Sequence, residues 1–296
     1  MTLTRLASIA IGCAFLGTLA QAQTDTLSKI KESKAIQIGS RDASIPFSYK
    51  LGSEDAPIGF TTDICLKVVD AIKAKLGLSS LDVRYTSVTP TNRIPLLQNN
   101  SIDLECSTTT NTVARQQQIA FAPSHFVTSV TAAVKKDSGI NSLADLQGKT
   151  VATVSGSTAI QLLRGFRKTE NMEVQEISGK DTSDAFLLFT SGRAVAYILD
   201  DVQLAGLIAS SPNPSEYKLL KEALRTEPYG IMYRKDDPQF KEIVDQTVSN
   251  LMKSGAIDEL YAKWFTKPIP PRGANLNFPM NEATRDAYKA PNNKGV

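Results

Sequence analysis

The sequence predicts an α/β protein built as two units of one plan, each a mainly parallel sheet flanked by helices. Three observations carry this. Strand-like apolar runs alternate with helical periodicities between residues 27 and 121, in the order β-α-β-α-β-α. After an extended, β-branched run over 126–135, the same alternation starts again at Leu143. A chain of 296 residues, 42% of them hydrophobic, also favours two domains over one.

The chain opens with Arg5 as its only early charge, then an apolar run from Leu6 to Ala20, with small residues at Ala20 and Ala22. About 15 apolar residues are too few for a comfortable membrane span, so the pattern predicts a secretory signal peptide over 1–22, cleaved after Ala22. Cleavage leaves 274 of the 296 residues, with 32 Lys+Arg (33 less Arg5) against 30 Asp+Glu, a formal charge of +2. That near balance argues against a nucleic-acid partner and a polybasic membrane anchor. Only Cys65 and Cys106 survive processing. They could pair in an oxidising compartment, or remain two separately buried thiols, one on a helix face and one at a strand end. Two cysteines with no nearby histidine do not make a metal site.

Residues 27–33 read as a short helix and 35–39 as a strand, followed by a loop with Arg41, Phe47 and Tyr49. From Gly59, apolar residues at Phe60, Ile64, Val68, Ile72 and Leu76 recur every four positions, marking an amphipathic helix. Residues 82–87 alternate around Val83 and Tyr85 like a strand. A helix with Arg93 comes next, then the apolar strand 102–106, then four hydroxyls, Ser107 to Thr110. Val113 and Arg115 begin another helix, with Asn111 or Thr112 placed to cap it.

In the second unit, 143–146 is a short helix closed by Gly148, and 150–154 is a strand. Ser155-Gly156-Ser157-Thr158 turns into a helix through Ile160, Leu162 and Leu163. The turn has the character of an anion-binding helix N-terminus. It lacks the glycine spacing and lysine of a phosphate loop, so a nucleotide is not expected. Strand 174–177, helix 183–190 and strand 194–199 follow, the last ending in Asp200-Asp201. A third extended run, 229–234, can return the chain to the first unit. Two amphipathic helices come after it, through Phe240, Val244, Val248 and Leu251, then through Ile257, Leu260, Tyr261 and Trp264. Beyond Lys267 the Pro- and Asn-rich sequence reads as an ordered strap fading into a loose tail.

Arg93, Thr108, Thr109, Thr110 and Arg115 thus gather at the C-terminal end of one strand, where open α/β sheets bind ligands. Guanidinium forks and helix-start N–H groups suit carboxylates, and Asp200 suits a cation. His125 is the only histidine and lies in a connecting segment, so it reads as a satisfied surface or hinge residue. There is no G-x-S-x-G elbow and no His/Cys cluster for a metal. Arginine cannot serve as a base. Such a set recognises rather than reacts, and no catalytic residue, cofactor or metal is expected.

Six segments carry a resemblance: RDASIPFSY (41–49), TNRIPLLQNNSIDLEC (91–106), STTTNTVARQQQIAF (107–121), SGRAVAYILDD (191–201), YRKDDPQFK (233–241) and KWFTKPIPP (263–271). From Ser28 to about Phe278 the chain resembles the periplasmic solute-binding proteins of amino-acid ABC transporters, and most closely their glutamate/aspartate-binding subgroup. The resemblance implies a two-lobed type II clamshell, each lobe a mainly parallel sheet flanked by helices, joined by two hinge strands at 126–135 and 229–234. Lobe 1 would comprise 23–127 plus 229–296, and lobe 2 would comprise 128–228. Arg115 with Thr110 and Thr108 would hold an α-carboxylate, and Asp200 an α-ammonium. Arg41 and Arg93 would lie toward a side-chain carboxylate, with Thr158 adding a hydroxyl from lobe 2. In that subgroup a histidine commonly stands at Thr182 and a serine at Pro90, so Thr182 is placed at the second carboxylate with a different donor.

The implied protein is a monomer that captures glutamate or aspartate in the periplasm and delivers it to a membrane permease. A related dicarboxylate or another polar amino acid is the alternative ligand. The alternative activity is an enzyme on the same fold, such as a periplasmic cyclohexadienyl dehydratase, which needs an acid or base beside its substrate. Glu105 is the only glutamate near the expected site, and its place inside a strand favours a structural or arginine-supporting role.

Overall fold

The computed structural model describes residues 25–54 and 56–296; the expected signal peptide, 1–22, lies outside them. Ala35–Ser40 runs parallel to Asp82–Ser87 on one side and to Leu104–Glu105 on the other. Met232–Tyr233 joins this sheet antiparallel, and Ala120–Phe121 forms its edge. Residues on both faces of Ala35–Ser40 are buried, as expected of a strand covered by helices on both sides. Helix Phe60–Lys75 packs here through the four-residue repeat of its sequence, with Phe60, Ile64, Val68 and Ile72 all buried.

The second sheet is built around the long strand Phe126–Lys135. Ala196–Asp200, Tyr217–Leu219 and Arg225–Tyr229 pair with it antiparallel. Thr150–Val154 lies parallel between Ala196–Asp200 and Gln175–Gly179. Alternation along the long strand separates two cores. Val130, Ala132 and Val134 pack with Ala159 and Leu163 of helix Thr158–Thr169. Ala133 packs on the other face with Ala185 and Phe189 of helix Thr182–Thr190.

Phe126–Lys135 and Arg225–Tyr229 connect the two sheets and are paired with each other, Phe126 opposite Tyr229 and Val130 opposite Arg225. Phe126 and Tyr229 are rooted among aromatic rings of the first core. Phe126 lies 5.0 Å from both Phe47 and Phe265, and Phe47 lies 5.4 Å from Tyr229. The returning crossing therefore begins earlier than the expected 229–234. Arg225, Glu227 and Pro228 disguise it, because charge and proline are both rare in strands.

Two further expectations are corrected. The C-terminal segment is not a loose tail. It forms helix Glu282–Lys289, and Asn292 O then accepts from Ser124 N at 2.9 Å. Val296 exchanges bonds with Asn111 O (3.1 Å) and Val113 N (3.0 Å). The open question over the cysteines resolves to a Cys65–Cys106 disulfide, tying helix Phe60–Lys75 to the start of the hydroxyl run. With a sequence separation of 41, loop-closure entropy puts its contribution at about 4 kcal/mol.

His125 is a hinge residue but not a surface one. It is fully buried with its ring 6.1 Å from that of Phe60, its Nε2 is 3.0 Å from Thr61 Oγ1, and its Nδ1 has no partner. Burial pushes the imidazole from its ordinary 6.5 down to about 3. Below pH 6.5 the unfolded chain therefore binds a proton that the folded chain refuses until about pH 3. In that window stability should fall by about 1.4 kcal/mol per pH unit as pH drops. His125→Gln should flatten this dependence between pH 6.5 and 4 in urea titrations; parallel curves for the two proteins would contradict it.

Candidate ligand-binding cleft

Strand ends, loops and helix starts from both lobes meet around one small cavity of about 20 Å3. All eight residues singled out from the sequence line it: Arg41, Arg93, Thr108, Thr110 and Arg115 from the first lobe, and Thr158, Thr182 and Asp200 from the second. Pro90, Val154, Ser157, Leu199 and Gln203 complete the wall.

Arg115 is held on a single helical turn, Val113–Gln116, whose cap is Thr112, accepting from Arg115 N at 3.2 Å. The preceding loop is fastened on two sides. Asn111 N and Gly230 N bond it to the returning hinge segment through Pro228 O (2.8 Å) and Thr109 O (3.0 Å), and Val296 pairs with it from the tail. The guanidinium donates to Thr110 O at 2.8 Å and, across the cleft, to Gly156 O at 3.2 Å. Arg93 begins helix Arg93–Gln98 and stands 4.0 Å from Glu105. Glu105 also accepts from Ser107 and, at 2.8 Å, from Thr109. It thus supports an arginine and the hydroxyl loop, as its strand position suggested.

Asp200 ends its strand and stands at the N-terminal boundary of helix Asp201–Ala209 without a side-chain capping bond. Its Oδ2 accepts from Gln203 Nε2 at 2.7 Å, while its Oδ1 has no partner. The neighbouring Asp201 turns away to the hinge strand, where it accepts from Thr128 Oγ1 at 2.6 Å and from Ser129 N at 3.3 Å. The two consecutive acids therefore divide the work between ligand cleft and hinge.

Charge is concentrated and poorly solvated here. Arg41 is 2% exposed and Arg93 3%, and Arg41 Nη2 and Arg93 Nε lack partners. Burial, then repulsion from Arg93, pushes Arg41 down to about 10 and Arg115 down to about 9. Burial also lowers Arg93, partly offset by Glu105. Asp200 is pushed up to about 7, first by burial and then by the charge of Glu227. Each shift marks a group whose charge lacks full compensation.

Gln203 and Glu227 were not anticipated. Gln203 follows Asp200 by one helical turn and also donates to the Tyr229 hydroxyl at 2.9 Å. Glu227 lies just behind the cleft wall, fully buried, and takes hydrogen bonds from Thr110 and Thr158. A period-two reading of 225–229 would have put Glu227 on the same face as Arg225 and Tyr229. Thr182 lines the cleft, but its hydroxyl donates to Ala43 O of the other lobe at 3.1 Å. It acts here as a contact between lobes.

The lobes meet closely at two glycines. A Cβ on Gly156, which has φ +78°, would stand 3.0 Å from Pro90 C. One on Gly206 would stand 2.5 Å from Ile45 O. Both contacts need a bare backbone, because real Cβ atoms do not approach that closely.

A model of the bacterial extracellular solute-binding proteins, family 3, matches residues 36–267. The chain belongs to this family. The L-glutamate/L-aspartate-binding protein of Pseudomonas aeruginosa is 43% identical to it over 98% of this chain and 97% of the relative. The glutamate/aspartate import solute-binding protein of Escherichia coli is 38% identical over 98% and 95%. A solved variant of ArgBP from T. maritima superposes with a TM-score of 0.70 at 27% identity, covering 80% of this chain and 98% of that one. This solute-binding protein thus has the two-lobed type II fold, and it is a binding protein rather than an enzyme.

The Gly206 contact gives opposed effects on stability and binding. Alanine favours a helix over glycine by ~1 kcal/mol, yet in the closed form its methyl would displace the Ile45 carbonyl. Gly206→Ala should leave the melting temperature of the ligand-free solute-binding protein equal or higher while weakening ligand binding at least tenfold. Calorimetry beside a thermal melt checks this, and an unchanged affinity would remove the contact from the account of closure.

Proposed function

We propose that this chain captures glutamate or aspartate in the periplasm and delivers it to the permease of an ABC transporter. The mature protein would start after Ala22 and act as a monomer, with lobe 1 formed by 23–127 and 229–296 and lobe 2 by 128–228. One observation carries the ligand assignment: Arg41 and Arg93 are buried in the cleft beside Arg115, each with an unpartnered guanidinium nitrogen. An α-amino acid offers one carboxylate to Arg115 and one ammonium to Asp200. An acidic side chain offers a second carboxylate, which answers the remaining guanidiniums. A neutral ligand would leave them desolvated and unpaired, a costly arrangement.

The enzyme alternative gains nothing from the geometry. His125 is enclosed under the hinge aromatics, and Glu105 is occupied by Ser107 and Thr109. The names of the two bacterial relatives support the acidic amino acid as ligand.

Calorimetry of wild type and four variants against glutamate, aspartate and glutamine tests the assignment. Removing one partner of a buried charged pair costs ~2–5 kcal/mol. Arg115→Ala and Asp200→Ala should weaken every amino-acid ligand by that order. Arg41→Ala or Arg93→Ala should weaken glutamate and aspartate selectively, narrowing the gap to glutamine. A wild type that prefers glutamine, or equal losses for all ligands in the Arg41 and Arg93 variants, would overturn the dicarboxylate reading.

A further inference from the structure

Behind the cleft, Glu227 gathers donors from three directions. Its Oε2 accepts from Thr110 Oγ1 at 2.7 Å and from Thr158 Oγ1 at 2.6 Å, while Arg225 closes on Oε1 through Nε (3.1 Å) and Nη2. Thr110 belongs to the first lobe's hydroxyl loop, Thr158 begins a helix of the second, and Glu227 stands on the hinge strand between them. One oxygen therefore joins a hydroxyl from each lobe. Four donors converge on this side chain, an arrangement suited to a carboxylate.

A hydroxyl has one hydrogen and two lone pairs. When Thr110 and Thr158 give their hydrogens to Glu227, they keep only lone pairs for the cleft. They can then accept from a cation, but they cannot donate to a carboxylate. We propose that Glu227 is a positioning residue that fixes the hydroxyls of Thr110 and Thr158 as acceptors for the ligand ammonium, and in doing so ties the two lobes together. The proposal rests on the amino-acid reading above, and it alters the part expected of Thr110. The ligand carboxylate then depends on Arg115, and the ammonium is received by Asp200 together with the two threonines.

Glu227→Gln separates this from a purely structural role. An amide must turn its oxygen to Arg225 and its NH2 to the threonines, which reverses both hydroxyls and points hydrogens at the ammonium. It also removes the anion whose charge acts most strongly on Asp200. The other charged or titratable groups acting on Asp200 are Asp201, Tyr197, Tyr229, Arg93 and Arg115, with Gln203 bonded to it, and all of them remain. Asp200 must be ionised to hold an ammonium, so wild-type affinity should fall as pH drops below about 7, approaching tenfold per unit.

The measurement is calorimetry of glutamate binding from pH 5 to 8 on the mature protein, with thermal melts to confirm folding. At pH 8, Glu227→Gln should bind at least tenfold more weakly, and its decline with acid should move to lower pH. Affinity equal to wild type at pH 8, or weaker binding with an unmoved pH midpoint, overturns the proposal. Should that variant fail to fold, Thr158→Val decides: it keeps the shape, removes one acceptor, and should weaken binding at least threefold with the midpoint in place. An unchanged affinity there also overturns it. If wild type binds a neutral amino acid instead of glutamate, the acidic-ligand reading fails alone, and the same series run with that amino acid still tests Glu227.

Discussion

The constraint on which the rest depends is the burial of three guanidinium groups that cannot shed their charge. Arg41, Arg93 and Arg115 converge on one small cavity, and an arginine stays protonated at physiological pH. The acids nearby are largely occupied: Glu105 by Ser107 and Thr109, Glu227 by Arg225 and two threonines. Closing the cleft strips water from all three cations. In the proposed reading, a ligand with two carboxylates and one ammonium restores balance, whereas a neutral one would not. Ligand and closure are thereby the same event energetically, since the contacts that neutralise the arginines and those that bring Gly156 to Pro90 belong to one conformation.

That event needs a firm base to close against, and the hinge supplies it. Phe126 and Tyr229 start and end their strands inside a cluster of aromatic rings with Phe47, Phe60, Tyr261 and Phe265. His125 sits in the same place, neutral and enclosed. Charged groups begin only a few residues further along the strands: Glu227 on one, and the Asp201 contacts to Thr128 and Ser129 on the other. An apolar root beside a polar stretch keeps the aromatic cluster enclosed while it places Glu227 against two threonines of the cleft wall.

Much of this was legible from residue type and order. The alternation of strands and helices pointed to both sheets, and charge near strand ends singled out Arg41, Arg93, Arg115 and Asp200, which the structure brings to one cavity. What escaped detection needed tertiary context. Helix Glu282–Lys289 is mostly polar and forms where Thr284 and Tyr288 meet the hinge, through Val127 and His125. The Cys65–Cys106 bond joins a helix face to a strand end, and spacing alone does not say which faces meet. Glu227 was hidden inside a strand that its own charge and the adjacent proline made hard to see. Hydroxyl direction is the least legible feature of all, because a threonine's sequence says nothing about which neighbour takes its hydrogen.

The two departures from the glutamate/aspartate pattern, Thr182 and Pro90, have a common consequence. Where the subgroup commonly places a histidine, Thr182 spends its hydrogen on Ala43 O across the cleft. Where a serine is common, the Pro90 backbone packs on bare Gly156 of the opposite lobe. Both positions make contacts between the lobes in this structure. A histidine or serine that touched the second carboxylate would share the task of neutralising it. With neither present, the proposed reading gives that task to Arg41 and Arg93, whose charge-assisted bonds would be roughly twice as strong as neutral ones. Under the proposed reading, discrimination between acidic and neutral ligands rests on these two guanidiniums, while Thr182 and Gly156 join the lobes.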